Sequence, residues 1–234
     1  MFSFNGQTAL VSGGTSGIGL AIAKAFATAG AEVHAVGLGP WPADEPNLHF
    51  AALDVTDTLA CRGLVAKLPR INFLINAAGI IRRDDEFKIE VFQQVMDVNV
   101  TGAMRLCTEA HEKLAATKGA IVNLASMWTY FGGPRVPAYT ASKGAIAQLT
   151  KSLAVAWAAE GIRVNAVAPG WIATPLTAAL QADPVRSAPI LERCPMKRWG
   201  LAEEVAPPVL FLCSAGASFI NGAILPIDGG YLAA

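Results

Sequence analysis

Charge is scarce in this sequence. Only 15% of the residues are Asp, Glu, Lys or Arg, and 18 acidic side chains balance 18 basic ones to a formal net charge of +0. A nucleic-acid-binding surface needs a basic excess or stripe, so no nucleic-acid partner is expected. Long hydrophobic runs are missing too. A spanning helix needs ~20 consecutive apolar residues, and the longest candidates, such as 209–213, fall far short despite a mean hydropathy of +0.42. No membrane partner is expected. The four cysteines (Cys61, Cys107, Cys194, Cys213) are far apart and form no C-x-x-C pair. That favours reduced thiols over a disulfide frame or a zinc site, and no metal is expected. The first residues, 1–6, carry no basic stretch, so no secretory signal is expected and the expected location is cytoplasmic.

What is there is apolar and evenly spread. Hydrophobic residues make up 53% of the 234, enough to exclude disorder as the main state, and the length suits one core over 1–234. A neutral, apolar chain lacks self-repulsion, so part of its surface is expected in subunit contacts. Short β-branched runs at 7–12, 32–36, 50–53, 73–76, 120–124, 163–168 and 224–227 read as strands. They alternate with helical stretches at about 17–29 and near 87–115, 138–160 and 202–214. This alternation predicts an α/β fold with a parallel sheet wrapped on both faces. Three prolines within 40–46 argue against a crossover helix there, and Pro207-Pro208 predicts a helix that forms mainly after Pro208.

The first strand runs into Ser12-Gly13-Gly14-Thr15-Ser16-Gly17-Ile18-Gly19. Glycines let the backbone approach a pyrophosphate, and the helix that follows offers free N–H groups and a positive dipole end. Of the three tyrosines only Tyr139 has a lysine at i+4, Lys143, which puts both on one helix face. A phenol titrates near 10, and an adjacent ammonium favours the phenolate, so this pair suits proton transfer. Ser126, just past the strand at 120–124, is placed to hydrogen-bond a substrate carbonyl oxygen. Asn99 is placed to hold a water between Lys143 and solvent.

Taken together, the loop 12–19, Asn76-Ala77-Ala78-Gly79, Asn99, Ser126, Tyr139/Lys143, Pro169-Gly170 and Asp228-Gly229-Gly230 resemble the short-chain dehydrogenase/reductases over nearly the whole chain. The resemblance implies a single-domain Rossmann-type doubly wound sheet of about seven parallel strands, an NAD(P) cofactor and the catalytic set Asn99, Ser126, Tyr139 and Lys143. It implies cofactor contacts from Gly13, Thr15, Ser16, Gly17, Ile18 and Gly19, from Gly37 and Leu38, and from Asp54 and Val55 beside the adenine. Asn76, Ala77, Gly79, Pro169, Gly170, Ile172 and Thr174, with Tyr139 and Lys143, complete that set. A homotetramer, or a dimer, built through the helices near 87–115 and 138–160 and the C-terminal region is also implied. Where the family places an acid for the adenosine ribose, this chain has Gly37-Leu38, with no Asp for a 2′-hydroxyl and no Arg for a 2′-phosphate. NAD is the expected cofactor, and NADP stays open.

Within the family, Ile80-Ile81-Arg82-Arg83, the segment 132–139 and Met196-Lys197-Arg198-Trp199-Gly200 resemble the subgroup of 2-deoxy-D-gluconate 3-dehydrogenase and gluconate 5-dehydrogenase. The resemblance implies oxidation or reduction of a secondary hydroxyl of a sugar acid. A guanidinium matches a carboxylate bidentately, so Arg135, Arg82 and Arg83 are candidate substrate contacts beside Ser126 and Tyr139. The proline-rich segment 171–200 reads as a substrate lid, with Trp128, Trp171 and Trp199 as candidate pocket walls. Two alternatives stand beside this reading: a reductase of 3-oxoacyl thioesters or other apolar ketones, and a non-catalytic dinucleotide sensor. The intact Tyr139/Lys143 pair speaks against the sensor.

Overall fold

Successive residues of the strands lie in different hydrophobic clusters, which is what a sheet buried on both faces requires. In β1 (Thr8–Ser12) Ala9 and Val11 belong to one cluster and Leu10 to the other. In the strand Phe73–Asn76, Phe73 and Ile75 separate from Leu74 in the same way. The computed structural model describes residues 2–43 and 45–234. Met1, and Asp44 within the proline-rich connection, lie outside the described residues.

After β1 the chain forms α1 (Gly17–Thr28), β2 (Glu32–Gly37), β3 (Leu48–Ala52), α2 (Thr58–Lys67) and β4 (Phe73–Asn76). Next come α3 (Ile89–Met96), a π-helical turn at Asp97–Thr101, α4 (Gly102–Thr117), β5 (Ala120–Leu124), α5 (Pro137–Ala156) and β6 (Arg163–Pro169). The last part holds β7 (Ile172–Ala173), α6 (Ala178–Gln181), α7 (Pro184–Arg193), β8 (Gly200–Leu201), α8 (Ala202–Cys213) and β9 (Ile224–Ile227). Seven strands make one parallel sheet in the order β3-β2-β1-β4-β5-β6-β9, and β7 pairs with β8 in a separate two-stranded sheet. The fold is a single-domain Rossmann-type α/β sandwich. Helices α1 and α8 pack with one cluster, and α2, α4 and α5 with the other. No helix among the described residues is long and apolar enough to cross a membrane.

The strand order reverses between β1 and β4. Helices leave opposite faces there, and a crevice opens outside the strands' carboxyl ends. The β2–β3 connection contains no helix among its described residues, as its prolines require. The segment 171–200 holds β7, α6, α7 and the first residue of β8, with Asp183 capping α7 by accepting from Val185 and Arg186 N–H. Two expectations need correction. The stretch near 87–115 is two helices broken by the π turn. Helix α8 starts at Ala202, ahead of Pro207-Pro208. Glu204 accepts the Leu201 N–H at 2.8 Å and anchors its start. Val205, Val209, Leu210 and Leu212 are buried on it. At roughly 1.5–3 kcal/mol per side chain, that burial outweighs two interior prolines at about 3 kcal/mol each.

Candidate active site

A cleft of about 690 Å³ occupies the switch point, within the range of cavities that hold a cofactor and a small substrate. At one end lie Gly13, Thr15, Ser16, Gly17, Ile18 and Gly19. Gly13 has φ +67, and a Cβ there would stand 2.6 Å from the Ala78 nitrogen, so only glycine lets the loop lie against the strand-end segment 77–79. Ser16 leaves the first turn of α1 without a side-chain cap, and no acid occupies that turn. The free N–H groups and positive dipole end suit a pyrophosphate.

Gly37, Leu38, Asp54 and Val55 line the adenosine side. A Cβ on Gly37 would meet the Thr15 hydroxyl at 2.7 Å, so Thr15 fills the volume an acidic side chain would need. Asp54 is committed locally: its Oδ1 accepts from the Thr56 N–H at 2.9 Å and from the Thr56 hydroxyl at 2.7 Å. Those bonds hold its carboxyl below the usual carboxylate range. The three cations lining the cleft are Arg82, Arg83 and Lys143. Ala77, Gly79, Pro169, Gly170, Ile172 and Thr174 complete the walls. These donors and glycines fit a dinucleotide. Among the described residues no group of three or more His, Cys, Asp or Glu is arranged to hold a metal ion.

Ser126, Tyr139 and Lys143 meet at the other end. Ser126 accepts a hydrogen bond from the Trp128 N–H at 3.3 Å. Lys143 is buried, and its ammonium donates to the Leu124 carbonyl at 2.6 Å. It stands 5.4 Å from the centre of the Tyr139 ring. Burial pulls the Lys143 pKa down to about 8. Burial pushes the Tyr139 phenol up to about 12, while a hydrogen bond with Ser126 and the charge of Arg83 pull it back. Trp128 and Trp171 also line the cleft, with ring centres 6.1 Å apart.

Four expected residues lie outside the cleft lining. Asn76 is turned inward, donating to Asn123 at 2.9 Å, and Asn123 donates to Thr150 at 2.9 Å. This polar ladder ties β4 and β5 to α5, which explains an asparagine at that position. Asn99, in the π turn, spends both side-chain atoms on protein: Oδ1 accepts from Ile80 N–H at 2.8 Å, and Nδ2 donates to Ile80 C=O and Ser142 Oγ, each at 3.0 Å. Arg135 is drawn away by Asp84, to which its Nε donates at 2.7 Å. Trp199 donates to Ser187. One residue escaped the sequence reading altogether. Glu86, buried, accepts from the Arg82 N–H and the Tyr139 N–H, each at 2.8 Å. No motif marks it, because its partners are backbone atoms.

A doubly wound parallel sheet with a glycine loop at its switch point defines the Rossmann-type dinucleotide-binding class. Comparison with known proteins narrows it. The family described as enoyl-(acyl carrier protein) reductase matches residues 13–232. The 2-dehydro-3-deoxy-D-gluconate 5-dehydrogenase of Bacillus subtilis is 41% identical over 99% of this chain and 96% of its own. A structure from Agrobacterium tumefaciens with bound NADP, a candidate 2-deoxy-D-gluconate 3-dehydrogenase, is 42% identical with TM-score 0.91, covering 100% of this chain and 99% of that one. A gluconate 5-dehydrogenase from Burkholderia cenocepacia in complex with NADP and tartrate is 31% identical with TM-score 0.91, covering 100% and 98%. The chain belongs to the short-chain dehydrogenase/reductase family and is an NAD(P)-dependent oxidoreductase.

Proposed function

We propose that this enzyme interconverts a secondary hydroxyl and a ketone on a sugar acid, such as a 2-dehydro-3-deoxy or 2-deoxy aldonate. Arg83 carries the proposal. It is half-buried in the cleft, and its charge acts on Tyr139. Arg62, Arg105, Arg135 and Arg198 each pair with a carboxylate. Among the described residues, Arg83 pairs with none. A half-buried, unpaired guanidinium beside the reacting centre suits a carboxylate substrate. The sugar-acid names of the relatives, and the tartrate bound to one of them, support the same chemistry.

When bound, the nicotinamide supplies the hydride acceptor or donor. Ser126 orients the substrate oxygen. In oxidation Tyr139 takes the hydroxyl proton, and in reduction it returns it. Lys143, one turn along, favours the phenolate and is placed for the nicotinamide ribose. Asn99 holds the Ile80 strand-end loop in place rather than lining the cleft. NAD is the preferred cofactor, since among the described residues no cation lines the adenosine side of the cleft, and NADP is accepted through the hydroxyls of Thr15 and Ser16. The segment 171–200 acts as a lid over the substrate. The enzyme works as a cytoplasmic homotetramer; the four free, buried thiols suit a reducing compartment.

Following NAD(P)H absorbance with D-gluconate, 2-deoxy-D-gluconate, 2-dehydro-3-deoxy-D-gluconate, a neutral polyol and apolar alcohols, with NAD and NADP in parallel, tests the substrate and the cofactor together. Arg83→Ala is expected to raise KM for the acid by about 10–100-fold, the range of a charge-assisted hydrogen bond, and to leave KM for the polyol unchanged, while kcat for both falls with the loss of its charge beside Tyr139. Turnover confined to apolar alcohols or ketones overturns the sugar-acid reading. It would favour a second one, built on the aromatic cluster of Trp128, Phe131, Trp171 and Tyr231.

A further inference from the structure

We propose that Glu86 is a positioning residue, one carboxylate that fixes the Arg82-Arg83 turn and Tyr139 in a single geometry. The proposal rests on the reading that Tyr139 moves the proton and Arg83 receives the substrate carboxylate.

Glu86 is 1% exposed. Its Oε1 accepts the Arg82 N–H and its Oε2 accepts the Tyr139 N–H, both at 2.8 Å. Tyr139 is the third residue of α5, and Val136 before the helix offers no capping side chain. An N–H at this position is ordinarily satisfied by a Ser, Thr, Asp or Asn just ahead of the helix. Here a carboxylate 53 residues away in sequence does so. Burying an anion costs several kcal/mol unless it is fully hydrogen-bonded, so a local serine would cap the helix more cheaply. What the longer route achieves is the link to Arg82. The Asp85 and Glu86 N–H groups also bond back to the Arg82 carbonyl, at 3.1 and 3.2 Å, so 82–86 is a closed turn.

An outer latch runs parallel to this inner one. The Asp84 N–H donates to the Arg135 carbonyl at 2.9 Å, and Arg135 donates to the Asp84 carboxylate at 2.7 Å. Asp84 takes the left-handed conformation, φ 69, to reach it. Arg135 and Asp84 are both exposed, and exposed ion pairs contribute little. The buried Glu86 is the member that sets the geometry. The charged groups facing Tyr139 are Arg83 and Glu86 from the neighbouring turn and Lys143 from its own helix. The carboxylate therefore opposes phenolate formation while the Arg83 charge favours it.

The test compares Glu86→Gln and Glu86→Asp with wild type, using 2-deoxy-D-gluconate and NAD. Glutamine removes the charge and turns a donor toward one of the two N–H groups. Its expected result is a fall in kcat/KM of about 10²-fold, the scale of a misplaced reacting group, with NAD affinity unchanged. The rising limb of the pH profile moves to lower pH. Aspartate keeps the charge but is too short to span both N–H groups, so the rate falls similarly while the limb stays near wild type. The proposal is overturned if Glu86→Gln keeps kcat/KM within about twofold of wild type, or loses rate only in proportion to lost folded protein with the limb unmoved. Ultraviolet titration of Tyr139, taken as wild type minus Tyr139→Phe, needs no substrate. Glu86→Gln is expected to lower that midpoint, and an unchanged midpoint counts against Glu86. If the wild type turns over no sugar acid, the substrate reading has failed while this titration still decides the role of Glu86.

Discussion

Tyr139 and Lys143 stand one turn apart on α5, and the same burial moves them in opposite directions. The phenol rises to about 12 and the ammonium falls to about 8, because each is pushed toward its neutral form. For Tyr139→Phe we expect kcat/KM to fall by roughly 10²–10⁴-fold, the range of one general acid–base group, while NAD binding measured by fluorescence titration is retained. Lys143 also has a stability signature. Its folded pKa, about 8, lies below its ordinary 10.5. Between these values the unfolded chain holds a proton that the folded chain has released, so stability rises with pH. Relative to Lys143→Met, the protein without cofactor is expected to gain stability as pH climbs through 8 toward 10, by up to roughly 3 kcal/mol, in denaturant melts. In the wild type taken alone, the raised Tyr139 pKa lowers stability above pH 10, since the folded phenol keeps a proton the unfolded one loses. A difference that stays flat from pH 7 to 10 would show that Lys143 is not desolvated.

The elements differ in how far their residues announce them. The strands were legible because a sheet covered on both faces needs continuous apolar runs, and all seven are where those runs lie. Gly13, Ser126, Tyr139 and Lys143 were legible because the cleft constrains side-chain chemistry at a fixed spacing. Helix α2 went unread: its apolar face is small, only Cys61 and Val65 are buried, and its start depends on one cap, Asp57 accepting from Ala60 N–H. Arg135 and Asn76 misled because long-range partners, Asp84 and Asn123, decide where they point. Glu86 was invisible because backbone N–H groups leave no trace in sequence. Pro207-Pro208 misled through a local rule that tertiary packing overrode, and this can be measured. Pro207 is exposed on α8, so Pro207→Ala restores a backbone N–H without touching the core. It is expected to stabilise the protein by about 1–3 kcal/mol in urea unfolding. No gain would mean that the helix had already relaxed around the ring.

For the whole molecule the governing facts are zero net charge and a surface that keeps large apolar side chains in water. Phe87 and Ile89 are both 68% exposed, and Val155 is 82% exposed. They stand just ahead of α3, at its start and near the end of α5, and Met104 lies on α4 between these in sequence. Phe219 is fully exposed, and with Phe211 and Leu225 it belongs to the α8–β9 region. Asn221 donates to the Ala154 carbonyl at 2.9 Å, which puts Val155 by the second group; Phe87 and Ile89 near α3, and Phe219 beyond α8, each offer apolar surface that can pair about a two-fold axis. Two such isologous contacts generate a closed tetramer, whereas one stops at a dimer. Sedimentation velocity of the wild type is therefore expected to show a four-chain species. Phe219→Asp should halve it to dimers by removing one contact, and Phe87→Asp should halve it by removing the other. The double variant should run as a monomer, at some loss of stability, because each contact removes apolar surface from water. If either single variant alone yields monomers, one region supplies the whole interface, and the assembly is a dimer whose second apolar region serves another purpose.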